Sequence, residues 1–329
     1  MLELLSNYAL FAAKTITVVI VMTIPFFVLL SGRKNNRKGQ EPTVIIRHVN
    51  EKIDQTIRHF DATFLSEKDY KKKRKAAQKQ EKINAKKETK PKTFLCSFTG
   101  DIKASGVSQL REEITMILSV AKPNDEVLLV LESGGGTIHG YGLAASQLNR
   151  IKEKNIQLKI SVDSIAASGG YMMACVADEL IAAPFAIIGS IGVVAQIPNF
   201  HRFLKDKNID FEQITAGDFK RTLTMFGNNT DIAREKFQSE IDEAHELFKQ
   251  FVGASRPLLD MEKVATGEHW FGTTALELGL IDKVSTSDDL ILDAVKSRDV
   301  YKIEVERKAS LFEKVTNKIT NKVTARLYT

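Results

Sequence analysis

The junction between a predicted strand and a predicted helix around Ser168 is the feature that most constrains the fold of this chain. Gln157–Val162 alternates and is β-prone, whereas Tyr171–Ala177 is apolar or small and favours a buried helix, so Ser168 falls at a helix N-terminus. Backbone N–H groups there lack helical partners and can stabilise an oxyanion, which makes Ser168 a candidate nucleophile. Serine is also a common N-cap, and a purely structural cap is the alternative for Ser168.

Strand-like and helix-like segments alternate from about residue 93 onward and predict an α/β fold with buried strands. Cys96 and Cys175 lie in apolar runs and are interpreted as buried thiols. The predicted elements are a strand from Thr93, a helix over Val107–Ala121, a buried strand over Glu126–Leu131, a helix over Tyr141–Ile151, a strand over Phe211–Thr215, a long helix over Asp231–Ala254, and a closing turn, helix and strand around Gly279.

The N-terminal run Tyr8–Leu30 is apolar over 23 residues, enough to cross a bilayer core of about 30 Å as one helix. It is longer than the apolar part of a signal peptide and leads directly into basic residues, so we expect a transmembrane anchor over residues 1–32. Four Lys and Arg follow the run between residues 33 and 38, whereas Glu3 precedes it. The positive-inside rule therefore favours a cytoplasmic position for the body of the chain.

Positive charge is concentrated between Ser31 and Lys92, where 19 Lys and Arg face 8 Asp and Glu, a net +11. Because the whole chain carries +6 and its first 30 residues balance, the rest carries −5. We therefore expect no nucleic-acid partner and interpret residues 33–92 as a basic juxtamembrane helix or linker attracted to membrane lipid. Its first part has helical periodicity, in which Val44, Ile45, Val49, Ile53, Ile57 and Phe60 would form one face.

A second apolar run, Leu180–Pro198, contains no charge, but Pro184 and several glycines divide it into pieces that suit buried strands and turns. We therefore expect no second membrane span. The peptide chain from 93 to 300 forms the predicted globular domain, and residues 301–329 form a basic tail.

A serine nucleophile needs a base, and histidine is the usual choice. His139 follows the glycine loop, so a triad of Ser168, His139 and Asp163 is one possibility. A lysine is the other, if burial favours its neutral form. Lys220 is the candidate, because it lies among apolar neighbours, unlike the lysines between residues 71 and 92.

Five motifs in order resemble the signal peptide peptidase A / SohB family of serine peptidases over nearly the whole chain. No one of them is specific alone, but the ordered set is. The motifs are LESGGG at Leu131–Gly136, SIAASGGYMMACVAD at Ser164–Asp178, APFAIIGSIGVV at Ala183–Val194, AGDFKRTL at Ala216–Leu223 and VATGEHWFG at Val264–Gly272.

The resemblance implies a ClpP/crotonase-like fold of stacked ββα units and a Ser–Lys dyad that needs no cofactor or metal. It implies that Ser168 is the nucleophile, Lys220 the general base, Ser190 the residue that orients the lysine, and Gly169 and Gly135 the oxyanion-hole donors. Where the family has Ser-Pro-Gly-Gly, this chain has SGGG at residues 133–136 and loses the rigidity of proline beside an oxyanion donor.

The resemblance further implies a homo-oligomer whose subunits share the dyad. We therefore expect a membrane-anchored serine endopeptidase acting on signal-peptide remnants or membrane-associated proteins. An acyl-CoA enzyme of the crotonase type and a non-catalytic membrane scaffold with a vestigial dyad are the alternatives. The resemblance implies the outer face of the bacterial inner membrane, whereas the basic flank favours the cytoplasm.

Overall fold

The computed structural model describes residues 43–84 and 90–306, together with 11–12, 14–17 and 19, which are helical. The chain divides into two compact units, one comprising Met1–Ile45 with Val305–Thr329 and the other Ile46–Glu304. Most of the predicted anchor and of the basic tail lie outside the described residues. Within the described part of the chain, no helix is long and apolar enough to cross a membrane.

Parallel strands dominate the described structure. A seven-stranded sheet has the order β1-β10-β2-β3-β4-β6-β9, and a three-stranded sheet has the order β5-β7-β8. The strands are β1 (Thr43–His48), β2 (Lys92–Thr99), β3 (Glu126–Glu132), β4 (Gln157–Val162), β5 (Ile165–Ala167), β6 (Glu179–Ala182), β7 (Ile187–Gly189), β8 (His269–Phe271), β9 (Lys283–Val284) and β10 (Asp299–Glu306).

Helices pack on both faces of the large sheet. The helices are α1 (Val49–Phe64), α2 (Glu67–Asn84), α3 (Val107–Val120), α4 (Ile138–Glu153), α5 (Gly169–Ala174), α6 (His201–Asp206), α7 (Asp231–Ser255), α8 (Met261–Val264), α9 (Gly272–Glu277) and α10 (Ser287–Ser297). Because the strands from β10 to β9 pair in parallel and helices cover both faces, strand β3 is apolar almost throughout. Its Leu129 packs in the main core with α3 and α4, and Leu128 packs on the other face against α10.

The small sheet contains the strand that leads directly to the serine, because β5 ends at Ala167 and Ser168 follows. β4 belongs to the large sheet and β5 to the small sheet, and α5 follows, so two consecutive strands enter different sheets before one helix. The predicted α/β class and the strand–serine–helix order around Ser168 are thereby confirmed. The prediction that Leu180–Pro198 forms strands and turns is also confirmed, because β6 and β7 occupy it.

Three sequence-based boundaries are wrong. Residues 43–48 form strand β1 and not the start of an amphipathic helix; in this edge strand Arg47 pairs with Glu304 of β10 at 3.4 Å. Residues 211–215 form no strand and are exposed, because β-prone residues become a strand only beside a pairing partner. The sheet continues beyond residue 300, since Tyr301 and Lys302 of β10 pair with β2.

Asn50 joins helix α1 to the C-terminal part of the large sheet. Its side-chain amide donates to the carbonyl oxygens of Val295 and Arg298 at 3.2 and 2.9 Å, and its oxygen accepts from the Val300 N–H at 2.7 Å. These three bonds satisfy a nearly buried amide and fix the start of α1.

Asp282 ties the end of α7 to the sheet. Its carboxylate accepts two hydrogen bonds from Arg256, at 2.6 and 3.1 Å, and one from the Leu180 N–H at 2.7 Å. Desolvation raises the pKa of Asp282, but the bonds from Arg256 and Leu180 outweigh it, so the pKa is lower than that of a free aspartate.

We predict that Asp282→Asn weakens the dependence of the free energy of unfolding on pH at acidic pH. A depressed carboxyl pKa contributes stability that is present above the unfolded-state pKa of about 4 and is lost as the pH falls through the folded-state pKa. Because the Asp282 side chain is 38% exposed, we expect a cost of about 1–2 kcal/mol at pH 7 that shrinks as the pH falls below about 4. Urea unfolding of both proteins between pH 7 and pH 3 measures this, and parallel curves would contradict the prediction.

Candidate active site

A cavity of about 850 Å³ opens where β5 meets α5. The glycine loop at residues 134–136 and Ser168 with Gly169 line it. Ser190 and residues 192–194 form one wall, and Ile241 and Phe248 of α7 contribute apolar surface. The cavity therefore brings four of the five predicted site residues together: Ser168, Gly169, Gly135 and Ser190.

Ser168 has a backbone conformation that residues other than glycine rarely adopt, with φ 52° and ψ −119°. Its N–H donates to the Gly189 oxygen at 2.8 Å, and its carbonyl oxygen accepts from the Met172 N–H at 3.0 Å. The side chain makes no capping hydrogen bond. Ser168 therefore occupies the N-cap position of α5 without capping the helix through its side chain, and it lines the cavity.

Close packing holds the two glycines against Ser168. Gly135 has φ +88°, and a methyl group on it would lie 2.7 Å from the Gly169 nitrogen and 2.8 Å from the Ser168 Cβ. A methyl group on Gly169 would lie 2.4 Å from Cγ of the Tyr141 ring. Only glycine allows these close approaches. Gly169 is the first residue of α5, where an N–H group has no acceptor within its own helix.

A chain of buried hydroxyl groups supports the glycine loop. Tyr141 donates its proton to the Asp101 carbonyl oxygen at 2.8 Å, so the Ser133 hydroxyl donates to Tyr141 at 2.6 Å. The Ser133 oxygen in turn accepts from the Gly135 N–H at 3.1 Å. Burial raises the pKa of Tyr141, which keeps the donor protonated. The Gly135 N–H, a predicted oxyanion donor, is therefore directed at Ser133 in this structure.

The segment after β7 is held from three sides. The Gly189 oxygen accepts from Ser168, the Ser190 N–H donates to the Glu268 oxygen at 2.7 Å, and the His245 Nε2 lies 3.2 Å from the Ile191 oxygen. Ser190 itself has φ 52°. Contacts to α7 and to the residues before β8 thus fix the cavity wall that carries Ser190.

Lys220 lies apart from the other predicted site residues. It is exposed, occupies a turn in which its N–H donates to the Gly217 oxygen at 3.2 Å, and does not line the cavity. The turn belongs to a segment that is closed on itself: the Asn199 side chain donates to the Thr224 oxygen at 2.9 Å, and the Phe200 and Phe226 rings stack at 6.1 Å.

The alternative triad does not form. His139 lines the cavity, but the Asp163 carboxylate accepts hydrogen bonds from the backbone N–H and hydroxyl of Ser287, the first residue of α10. Asp163 therefore fixes the start of α10 and is not oriented toward His139.

Three supporting residues were not predicted from the sequence: Ser133, Tyr141 and His245. Ser133 lies within the glycine-loop motif, which was the only sequence signal for it. Tyr141 and His245 occupy helix positions that resemble ordinary core or surface residues, and only the tertiary structure shows their contacts.

The arrangement is suited to nucleophilic attack on a carbonyl group, because a strained serine meets a helix N-terminus in a cavity. The chain matches the family models described as "Peptidase family S49 N-terminal" over residues 3–148 and "Peptidase family S49" over residues 150–301. It belongs to peptidase family S49 and is a serine peptidase, a hydrolase of peptide bonds.

Curated relatives agree with the family match. The chain is 48% identical to "Probable protease SohB" of Haemophilus influenzae over 95% of this chain and 92% of that protein. It is also 48% identical to "Probable protease SohB" of Buchnera aphidicola subsp. Acyrthosiphon pisum, over 99% of this chain and 97% of that one. The predicted family is confirmed.

We predict that Gly135→Ala abolishes peptidase activity while the protein stays folded. The added methyl group would displace Ser168 and Gly169 and force a non-glycine residue to φ +88°, so we expect a loss of at least about 100-fold in kcat/KM. Gly142→Ala in α4 is the matched control, because no atom lies within 4 Å of its added methyl group. Peptide hydrolysis and circular dichroism of both variants give the result. An active Gly135→Ala variant would show that the glycine loop can move to accommodate the methyl group, which would contradict the prediction.

Proposed function

We propose that this protein is a membrane-anchored serine endopeptidase in which Ser168 of one copy reacts with Lys220 of a neighbouring copy as its base. Its substrates are signal-peptide remnants or membrane-associated proteins, and residues 8–30 attach it to the bacterial inner membrane. The fold we propose is of the ClpP/crotonase type. The observation that carries the proposal is the strained Ser168 lining the cavity, with its hydroxyl not used as a helix cap.

The exposed surface around Lys220 supports a base supplied by another copy. Between residues 197 and 226, nine large apolar side chains are at least 39% exposed, which is typical of a protein–protein contact. Burying this segment against another copy would also remove Lys220 from water, which favours the neutral amine that a base requires. The nine are Ile197, Phe200, Phe203, Ile209, Phe211, Ile214, Phe219, Met225 and Phe226.

In the proposed reaction, the Ser168 oxygen attacks the carbonyl carbon of the scissile peptide while its proton passes to the Lys220 amine. The Gly169 N–H stabilises the oxyanion, and Gly135 can do so once its N–H turns from Ser133. The ammonium of Lys220 then protonates the leaving amine as the C–N bond breaks. The neutral lysine takes a proton from water, which attacks the acyl-enzyme, and the proton returns to Ser168. Ser190 positions the lysine.

Mixing of two inactive variants tests the shared dyad. We expect Ser168→Ala and Lys220→Ala each to be inactive in the full chain in detergent. Oligomers co-assembled from equal amounts should recover about a quarter of wild-type activity, since at random one interface in four joins an intact serine to an intact lysine. Arg221→Ala, in the same turn, is the matched control and should stay active.

Three results would count against the proposal. If Lys220→Ala stays active, Lys220 is not the base. If oligomers shown to contain both variants recover no activity, the dyad is not shared between copies. Failure of a fluorophosphonate to label Ser168 in the assembled wild type would favour an acyl-CoA enzyme or a scaffold.

A further inference from the structure

Helices α1 and α2 form a hairpin whose surface the peptidase site does not use. The salt bridge from Lys73 to Asp61, at 2.7 Å, joins the two helices, and Asn50 fastens the start of α1 to the large sheet. Between residues 54 and 79, every residue except Asp61 and Tyr70 is exposed. Within the part of the chain that the structure describes, the greater part of the hairpin thus has no protein surface against it.

An apolar stripe runs along α1 from its half-buried start to its exposed end. Its members recur at helical spacing, and the first two, Val49 and Ile53, are half-buried, with Val49 packed against the large sheet. The next three, Ile57, Phe60 and Phe64, are 46%, 56% and 77% exposed. The rings of Phe60 and Phe64 stack at 5.9 Å, which forms one continuous aromatic surface near the end of α1.

Helix α2 places a dense positive charge beside this surface. Residues 67–79 contain seven Lys and Arg against two acidic residues, a net +5. Lys71 and Lys73 pair with Glu67 and Asp61. Lys72, Arg74 and Lys75 make no salt bridge within the described part of the chain. Their charge is available to an anionic partner.

We propose that the α1–α2 hairpin docks on an anionic phospholipid surface, with Phe60 and Phe64 entering the interface and the α2 lysines contacting headgroup phosphates. The aromatic rings suit the boundary between headgroups and acyl chains, and the neighbouring basic side chains suit the anionic headgroups. An isologous contact with the hairpin of a second copy would instead bring two +5 helices together. The inference rests on the proposed membrane attachment and is independent of Ser168.

The hairpin is within reach of the bilayer. Eighteen residues separate Leu30, the end of the apolar run, from Val49, the start of α1. They span at most about 60 Å when extended, so an anchor over residues 8–30 does not prevent the contact. Docking would give the domain a second attachment point on the membrane.

A fluorescent label at position 64 tests the contact in the full chain. Both native cysteines are buried, so Phe64→Cys can be labelled selectively with an environment-sensitive thiol reagent. The protein is reconstituted in vesicles of phosphatidylcholine alone or with phosphatidylglycerol. We expect a blue shift and quenching by lipid-borne nitroxides only with phosphatidylglycerol. Label at Leu258→Cys, fully exposed and distant in sequence from the basic helix, should report water in both.

Charge variants test the role of α2. Adding Lys72→Gln and Lys75→Gln to the labelled protein should reduce the quenching by about half or more, and 1 M salt should do the same because it shortens the screening length to about 3 Å. Lys103→Gln with Lys154→Gln removes two exposed charges elsewhere and should leave the quenching unchanged.

Two outcomes would overturn the docking. The first is a label that reports water in phosphatidylglycerol vesicles. The second is an equal shift in both vesicle types that grows with protein density, which would assign the stripe to a second copy. Ser168 labelling by a fluorophosphonate in the same vesicles shows that the protein is intact. Loss of that labelling with the lipid response retained would contradict the proposed reaction and leave the docking standing.

Discussion

The hydrogen bond from the Ser168 N–H to the Gly189 oxygen is the interaction on which the geometry of the site depends. It fixes the backbone of a serine at φ 52°, a conformation that costs on the order of 1–3 kcal/mol and persists only where the surroundings over-determine it. The residues packed around Ser168 over-determine its conformation. All six residues of α5 are buried, and the two glycines admit no methyl group between Ser168 and the Tyr141 ring.

The support of Ser168 extends to parts of the chain far away in sequence. Gly189 ends β7, which pairs antiparallel with β8, and Trp270 of β8 packs so closely on Gly189 that a methyl group there would lie 2.9 Å from the indole ring. Ser190 donates to Glu268 just before β8, and His245 of α7 contacts Ile191. The C-terminal third of the domain therefore contributes to holding the serine in place.

Local sequence predicted most of the elements near the serine but not the contacts between them. The buried strand over Glu126–Leu131 and the helix over Asp231–Ala254 are recognisable because their apolar patterns reflect their own burial. Strand β1 and the exposed segment 211–215 were misassigned because a strand depends on a neighbour that local sequence does not reveal. Motif order led to Ser168, Ser190, Gly135 and Gly169, which the structure brings together around one cavity. The position of Lys220 within a pattern of apolar residues suggested burial, yet in a single copy Lys220 and its neighbour Phe219 are exposed.

That exposure links assembly and chemistry in the proposed mechanism. A lysine in water is a cation and cannot accept the serine proton, so a single copy holds a prepared nucleophile without a base. The same segment exposes nine large apolar side chains, whose removal from water favours association. Burying those side chains and neutralising the lysine are then one event, because Phe219 and Lys220 are adjacent in the chain. The hydrophobic contact that forms the oligomer would thus also create the base, while the backbone of Ser168 is already held in place by its bond to Gly189.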